Sequence, residues 1–425
     1  MIIPSIDLIG GRTVQLVGGR VQVFDGGAPM PWLEKFSLAG EVAVVDLDAA
    51  RQMGSNRDLI ATLCAVRPCR VGGGIRDVET ARWWLDAGAA RIVIGTAAER
   101  ALLAQLPRDR VVVALDAEDG DVVVDGWRTR TGRTVEERLA ELRDVAGGFL
   151  VTFVEREGRL GGTDIARAER IVAAAGGTRV TIAGGVTTPA EVAALDRIGA
   201  DAQVGMALYR GRMSLGAAIA APLVSDRADG LVPTVVADER GTALGLAWSS
   251  HDSVARAVDL RRGIYQSRKR GLWTKGEQSG ATQDLLRVDL DCDRDAVRFT
   301  VRQQGPGFCH RKTATCWDDG PPLAALERTL RSRVERPVPD SYSNRLFADR
   351  SLLRDKLFEE AGELADAESP ADVAREAADL FYFAMVRMAS AGVGMSDVDA
   401  ELARRARRIS RRRGDRKPPA AEPVP

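Results

Sequence analysis

The sequence predicts a multidomain protein: a (β/α)8 TIM barrel over residues 1–222, a small β-rich domain over 229–317 and an all-α helical domain over 341–415. Three observations predict it. Eight short β-branched runs alternate with helix-like stretches through the first half of the chain. Past a linker at 221–233 the pattern becomes strand and turn, and from about residue 345 apolar residues recur at three- and four-residue spacing. The length of 425 residues agrees, at about 150 residues per domain.

The eight strand candidates are IIPSID, VAVVDLD, CRVGG, RIVIGT, VVVALD, FLVTFV, VTIAGG and AQVG, and most precede a helical stretch such as VETARWWLDAG or PAEVAALDRIG. The region also repeats itself. VGGGIRDVETARWWLDAGAARIVIG from Val71 aligns with IAGGVTTPAEVAALDRIGADAQVG from Ile182. Gly73 and Gly74 then fall on Gly184 and Gly185, Gly88 falls on Gly199, and Asp7 in PSID matches Asp116 in VALD. Each half-barrel would present one aspartate and one glycine-rich loop at the C-terminal rim. Each loop precedes a helix, whose N-terminal N–H groups favour phosphate. Two such loops suit a ligand with a phosphate at each end. The Asp7/Asp116 pair between them suits general acid–base work on a sugar.

Lys+Arg and Asp+Glu both total 60, so no net charge draws the chain to nucleic acid or to a membrane surface. No apolar run reaches the length of a membrane span. The start, MIIPSIDLIGG, has no basic run and carries Asp7, which argues against a secretion signal. Five cysteines, an odd number, point to a reducing cytoplasm, with thiols or metal ligands rather than disulfides.

In the β-rich region the strand candidates are LVPTVVADERG, TALGLAWSS, GIYQSRKRGLW, LLRVDLDCD and AVRFTVRQQ. Asp291, Asp293 and Asp295 stand on alternate positions, which on a strand share one face, and three converging carboxylates need a hard cation such as Mg²⁺. Cys292, Cys309 and Cys316 offer three thiolates with an open fourth position, a catalytic zinc arrangement. His310, beside Cys309, can shuttle a proton near neutral pH.

DGPP at 319–322 and RPVPD at 336–340 bracket a helical connector, LAALERTLRSR. In the helical region Glu360 and Glu363 are i,i+3 neighbours, and Glu376 and Asp379 repeat that spacing after the break at SPAD, 369–372. Folded antiparallel, the two helices bring four carboxylates together, an arrangement suited to Mg²⁺ and a polyphosphate. The basic, Pro-rich end, RRRGDRKPPAAEPVP, reads as a solvated tail.

The motifs YQSRKRGLWTKGEQSGATQ, VDLDCDRDA and GFCHRKTATCW closely resemble phosphoribosyl-AMP cyclohydrolase. The resemblance implies Mg²⁺ on the three aspartates and Zn²⁺ on the three cysteines, in a site built across a homodimer. It implies hydrolytic opening of an adenine ring, and substrate or phosphate contacts at Ser267, Arg268, Lys275 and Ser279. Residues 341–415, with SYSNRLFAD and E-x-x-E…E-x-x-D, resemble phosphoribosyl-ATP pyrophosphohydrolase. That resemblance implies Mg²⁺ on Glu360, Glu363, Glu376 and Asp379, and a phosphate contact at Lys356. The barrel, through IPSIDLIGG, VVDLDAA, RVGGGIRD, ALDAEDGDVVVDGW, AGGV and ALYRG, resembles the isomerase acting on ProFAR, the phosphoribosylformimino-aminoimidazole carboxamide ribotide. Asp7 would be its base, Asp116 its acid and Thr152 a helper. Gln15, Glu157 and Met206 depart from that pattern: a cationic residue, an aspartate and a polar residue are usual there. Two readings follow for the barrel, an active isomerase and an inactive module kept for assembly. The substrates implied throughout are phosphoribosyl nucleotides of histidine biosynthesis.

Overall fold

The structure is a computed structural model and describes residues 1–267, 269 and 271–410. Arg268, among the expected substrate contacts, and the tail 411–425 lie outside the described residues.

Eight parallel strands form the barrel: Ile2–Ile9, Val42–Asp46, Cys69–Gly72, Arg91–Ile94, Val111–Glu118, Gly148–Phe153, Arg179–Ala183 and Ala200–Val204. Each pairs with the next, and the first closes on the eighth through Ile2 opposite Ala202. The strands are short, apolar and largely buried, as parallel strands covered by helices must be. Near the N-terminal end the fully buried Arg70 guanidinium bonds Glu41 at 2.6 Å and Thr181 at 3.1 Å. Burial works to raise the pKa of the Glu41 carboxyl, but Arg70 and Arg91 hold it below the usual range.

Two hairpins interrupt the β/α alternation at equivalent places. Arg12–Val17 with Val21–Gly27 follows the first strand, and Asp121–Val124 with Thr129–Thr134 follows the fifth. They are a second mark of the half-barrel repeat.

In the β-rich domain four strands run in the order Ala243–Ser249, Val232–Ala237, Val297–Gln303, Gln283–Leu290, and a separate ribbon pairs Ile264–Ser267 with Gly271–Thr274. A helix at His251–Leu260 joins the two parts. This helix fastens the domain to the barrel. It packs on the last barrel helix, Leu215–Ala220, so closely that a Cβ on Gly216 would lie 2.1 Å from the Ala255 carbonyl oxygen. Gly216 N donates to Asp259 at 3.1 Å, and His251 Nε2 lies 3.0 Å from Leu223 O. Val254, Ala257 and Val258 belong to the same hydrophobic core as the barrel residues Leu215, Ala218 and Ile219. The stretch at 221–233 is thus a short strap over a joint core. Gly216→Val should cost the fold about 1–3 kcal/mol, read as a lower melting temperature of the full-length protein.

The helical part has its own core of Leu330, Leu346, Leu353, Phe383, Met385 and Val386. Leu330 comes from the connector helix Pro322–Glu335, so that helix packs with Arg350–Asp366 and Pro370–Ser390. Ser369 caps the latter by accepting from Asp372 N at 3.1 Å, which explains the break at SPAD. After the last helix, Met395–Ala406, the chain returns to the barrel: Arg110 donates to Arg407 O at 2.9 Å, and Ile409 N and Ser410 N donate to Asp86 at 2.9 and 2.7 Å. Among the described residues, no helix is long and apolar enough to cross a membrane.

Candidate active sites

At the C-terminal rim of the barrel, Asp7 and Asp116 end facing strands and are half-buried, with Glu157 beside them. Burial pushes the Asp7 carboxyl up to about 7. Glu157 is also pushed up to about 7, first by burial and then by the Asp7 and Asp116 charges. Burial raises Asp116 too, but hydrogen bonds from Trp127 and Thr152 work against it. Three carboxyl groups therefore stand close enough to feel one another, each raised above the usual carboxylate range, as acid–base catalysis needs. The amide of Gln15, at the position where a cation was the usual residue, reaches Asp7 Oδ2 at 3.4 Å and Val14 O at 2.8 Å. The two hairpins meet over this rim. Gly19 lies on the Trp127 indole, within 2.6 Å of where its Cβ would be, and Gly18 N donates to Glu157 O at 3.2 Å.

The glycine loops are equivalent in the two halves. Gly73 (φ +97°) would place a Cβ 2.2 Å from Asp46 O, and Gly184 (φ +91°) would place one 2.5 Å from Phe153 O, so only glycine fits either position. Gly74 and Gly185 follow at φ +74° and +85°. Sequence reasoning missed the arginines beside them. Arg76 donates to Ala49 O and Ala50 O next to Gly74, and Arg156 donates to Gly162 O next to Gly185. Arg76 stands two residues after its loop, but Arg156 reaches the second loop from 28 residues earlier in the chain, through a tertiary contact. Ahead of the helix Pro189–Arg197, Thr187 N and Thr188 N donate to the Glu191 carboxylate at 3.0 and 2.9 Å.

The pH dependence of barrel stability follows from Asp7. Its unfolded pKa is 3.8 and its folded pKa about 7. Between those values the folded state holds a proton that the unfolded state has released, so stability falls as pH rises through that window and the loss is complete above it. Asp7→Asn removes the penalty. Its gain in melting temperature over wild type should be larger at pH 8 than at pH 5, and equal gains would contradict the burial of this charge.

In the β-rich domain the oxygens of Asp291, Asp293 and Asp295 lie within 4.8 Å of one another. Strand alternation is not the reason. Gln283–Leu290 ends before Asp291, and 291–296 is the loop of an antiparallel pair closed by Leu290 opposite Val297. The turn gathers the carboxylates, with Arg294 at φ +68° and Ala296 N donating to Asp291 Oδ1 at 3.1 Å. Cys309 and Cys316 stand side by side: the Cys309 thiol is lowered by N–H donation from Arg311 and by Thr313 and Cys316, while burial and then Cys309 raise Cys316. Cys316 N is fixed to Leu244 O at 2.8 Å. Lys275 faces both thiols and lies over the Phe308 ring at 5.1 Å; burial lowers its pKa against their charges. His310 is exposed, its Nδ1 3.8 Å from Cys309 Sγ. Cys292 stays with the acidic loop, 3.9 Å from Asp293, and does not join the other two cysteines within one chain. Ser267 Oγ accepts from Lys269 N, and exposed Ser279 accepts from Ala281 N.

In the helical domain Glu360, Glu363 and Glu376 gather within 4.8 Å, on antiparallel helices. Glu360 is buried and bonds Lys356 at 3.3 Å, while Glu376 bonds Arg375 at 3.0 Å. Burial, then Glu360, Glu376 and Glu359, raise the Glu363 carboxyl. Asp379 is exposed and lies outside the group.

A family model described as histidine biosynthesis protein matches residues 1–214, half of the chain. The chain belongs to the histidine biosynthesis protein family. Two further models follow in order, phosphoribosyl-AMP cyclohydrolase over residues 245–318 and phosphoribosyl-ATP pyrophosphohydrolase over 323–406. The histidine biosynthesis trifunctional protein of Neurospora crassa is 48% identical over 212 residues, covering 50% of this chain and 24% of that protein. A histidine biosynthesis bifunctional protein of Schizosaccharomyces pombe is 47% identical over 206 residues, 48% of this chain and 49% of its own length. The phosphoribosyl imidazole-4-carboxamide isomerase of Myxococcus xanthus is 40% identical over 232 residues, 51% of this chain and 96% of that enzyme. The chain thus spans a quarter to a half of the fungal histidine biosynthesis proteins it matches, and nearly all of the bacterial isomerase. In this histidine biosynthesis protein each family segment coincides with one of the clusters above.

Proposed function

We propose that the chain carries out three consecutive steps of histidine biosynthesis. The helical domain cleaves phosphoribosyl-ATP to phosphoribosyl-AMP and diphosphate. The β-rich domain opens the adenine ring of phosphoribosyl-AMP to give ProFAR, and the barrel isomerises ProFAR. The observation that carries this is the order of three family segments on one chain, each with its own gathered set of acids or thiols. The domains run over 1–222, 229–317 and 341–415, and the packing of Leu330 adds the helix Pro322–Glu335 to the last.

Both acidic clusters fit a hard divalent cation, three carboxylate oxygens at close range being its ordinary donors. Asp291, Asp293 and Asp295 would hold one Mg²⁺; Glu360, Glu363 and Glu376 would hold another, with Asp379 closing from the next turn. The adjacent thiols of Cys309 and Cys316 fit zinc once a third ligand is supplied. Because Cys292 stands apart in its own chain, Cys292 from a second copy completes the set, which makes the protein a homodimer through this domain. When bound, zinc acidifies water and Mg²⁺ neutralises phosphate charge. The chain's own groups do the rest. His310 moves a proton beside Cys309, and Lys275 with Ser267, Arg268 and Ser279 orients the phosphoribosyl nucleotide. Lys356 directs a phosphate toward the Glu360 face. In the barrel Asp7 takes a proton and Asp116, held by Thr152 and Trp127, gives one, while the loops at Gly73–Gly74 and Gly184–Gly185 seat the two phosphates. The setting is the cytoplasm.

A second reading of the barrel rests on one observation: the group facing Asp7 is the Gln15 amide, where a cation would balance three neighbouring carboxyls. On that reading the barrel is an assembly module for two hydrolases. Purified full-length protein given phosphoribosyl-ATP decides. Diphosphate, then ProFAR, then the isomerised product should appear in that order. Accumulation of ProFAR identifies the assembly module, and accumulation of phosphoribosyl-AMP refutes the cyclohydrolase assignment.

A further inference from the structure

We propose that Arg294 is a positioning residue through which the barrel holds the Asp291–Asp295 loop in its metal-ready shape. The proposal rests on the reading of that loop as a divalent-cation site. Three carboxylates at close range repel one another, so the loop needs outside support to keep them gathered. Arg294 lies between Asp293 and Asp295 with φ +68°, a conformation that a side chain disfavours and that needs fixing from outside. The fixing is on three sides. Val224 N, from the strap between the domains, donates to Arg294 O at 2.9 Å. The guanidinium Nη1 donates to Asp291 O. Its other edge leaves the β-rich domain and binds Asp196 of the barrel helix Pro189–Arg197 in fork geometry, Nε at 2.8 Å and Nη2 at 3.0 Å.

Asp196 is itself held. Its side chain is 9% exposed, and the Met1 amino group bonds it at 2.9 Å and Asp201 at 3.0 Å. One arginine therefore ties the backbone of a metal loop to a rigid charged network on another domain. A planar fork can do this, whereas a lysine would make a single movable contact. Partners of this kind, which touch the loop and not the ion, commonly change metal affinity by about 10- to 100-fold when removed.

The test is Mn²⁺ binding by full-length protein, followed by electron paramagnetic resonance, in a Glu363→Gln background that silences the helical cluster. Arg294→Ala and Asp196→Asn should each weaken binding to the loop by about 10-fold or more, measured at wild-type zinc content and at a temperature where every variant is folded, and Arg294→Lys should recover part of the loss. A purely structural role would move the melting temperature and not the affinity. Undiminished affinity in both anchor variants, with binding lost in Asp293→Asn, overturns the anchor alone. Undiminished affinity in Asp293→Asn as well overturns the cation site beneath it.

Discussion

Cys309→Ala should lose bound zinc and depress ring opening of phosphoribosyl-AMP by at least about 100-fold, since removing a ligand costs more than removing its supporting partner. Diphosphate release from phosphoribosyl-ATP should continue at the wild-type rate. The separation follows from the structure. Cys309 sits in a turn closed by its own N–H to Thr313 O and is buried beside Cys316, while the Glu360 cluster lies on helices with a separate core. Zinc content and the two product assays check the result. If ring opening survives intact, the thiols are not the zinc site. Cys292→Ala should give the same loss, although Cys292 lies apart in the chain. Mixing Cys292→Ala with Cys309→Ala protein should then restore part of the activity, because a dimer of the two can assemble one intact site.

Glu376→Gln should have the opposite selectivity. Diphosphate release should fall by at least about 100-fold, while ring opening of supplied phosphoribosyl-AMP should stay unchanged. Glu376 shares the 4.8 Å group with Glu360 and Glu363 across two antiparallel helices, so on the proposed reading it supplies a carboxylate that the near helix cannot replace. Substrate should accumulate as phosphoribosyl-ATP. If phosphoribosyl-AMP builds up instead, the helical cluster does not cleave the polyphosphate.

The sequence made most of the framework legible, because the signals were local. All eight barrel strands lie where short apolar runs placed them, since a buried parallel strand needs just such a run. The glycines at 73, 74, 184 and 185 were legible because each takes a positive φ against a neighbouring backbone. The two hairpins were not seen, because DVVV and TRTGRT carry little alternation, and the helix His251–Leu260 was passed over within a region read as strands. Its apolar residues Val254, Ala257 and Val258 have helical spacing, but their partner is a barrel helix distant in sequence. The acidic loop shows a subtler limit. The expectation that three aspartates converge agrees with the structure, yet strand alternation was the wrong cause, and a six-residue turn with a left-handed arginine does the gathering. Arg76, Arg156 and Trp127 escaped notice because their roles depend on tertiary contacts that no spacing encodes.

The contact at Gly216 constrains what can be cut from this chain. A barrel expressed to residue 222 would leave the small-residue face of Leu215–Ala220 open to water, with no helix to lie in it. The β-rich domain alone would expose Val254, Ala257 and Val258 in the same way. The two units are therefore one piece for purposes of inheritance as well as of packing: recombination that separates their coding segments should expose apolar surface on both fragments, whereas a cut ahead of the helix Pro322–Glu335 keeps Leu330 with the rest of the helical interior.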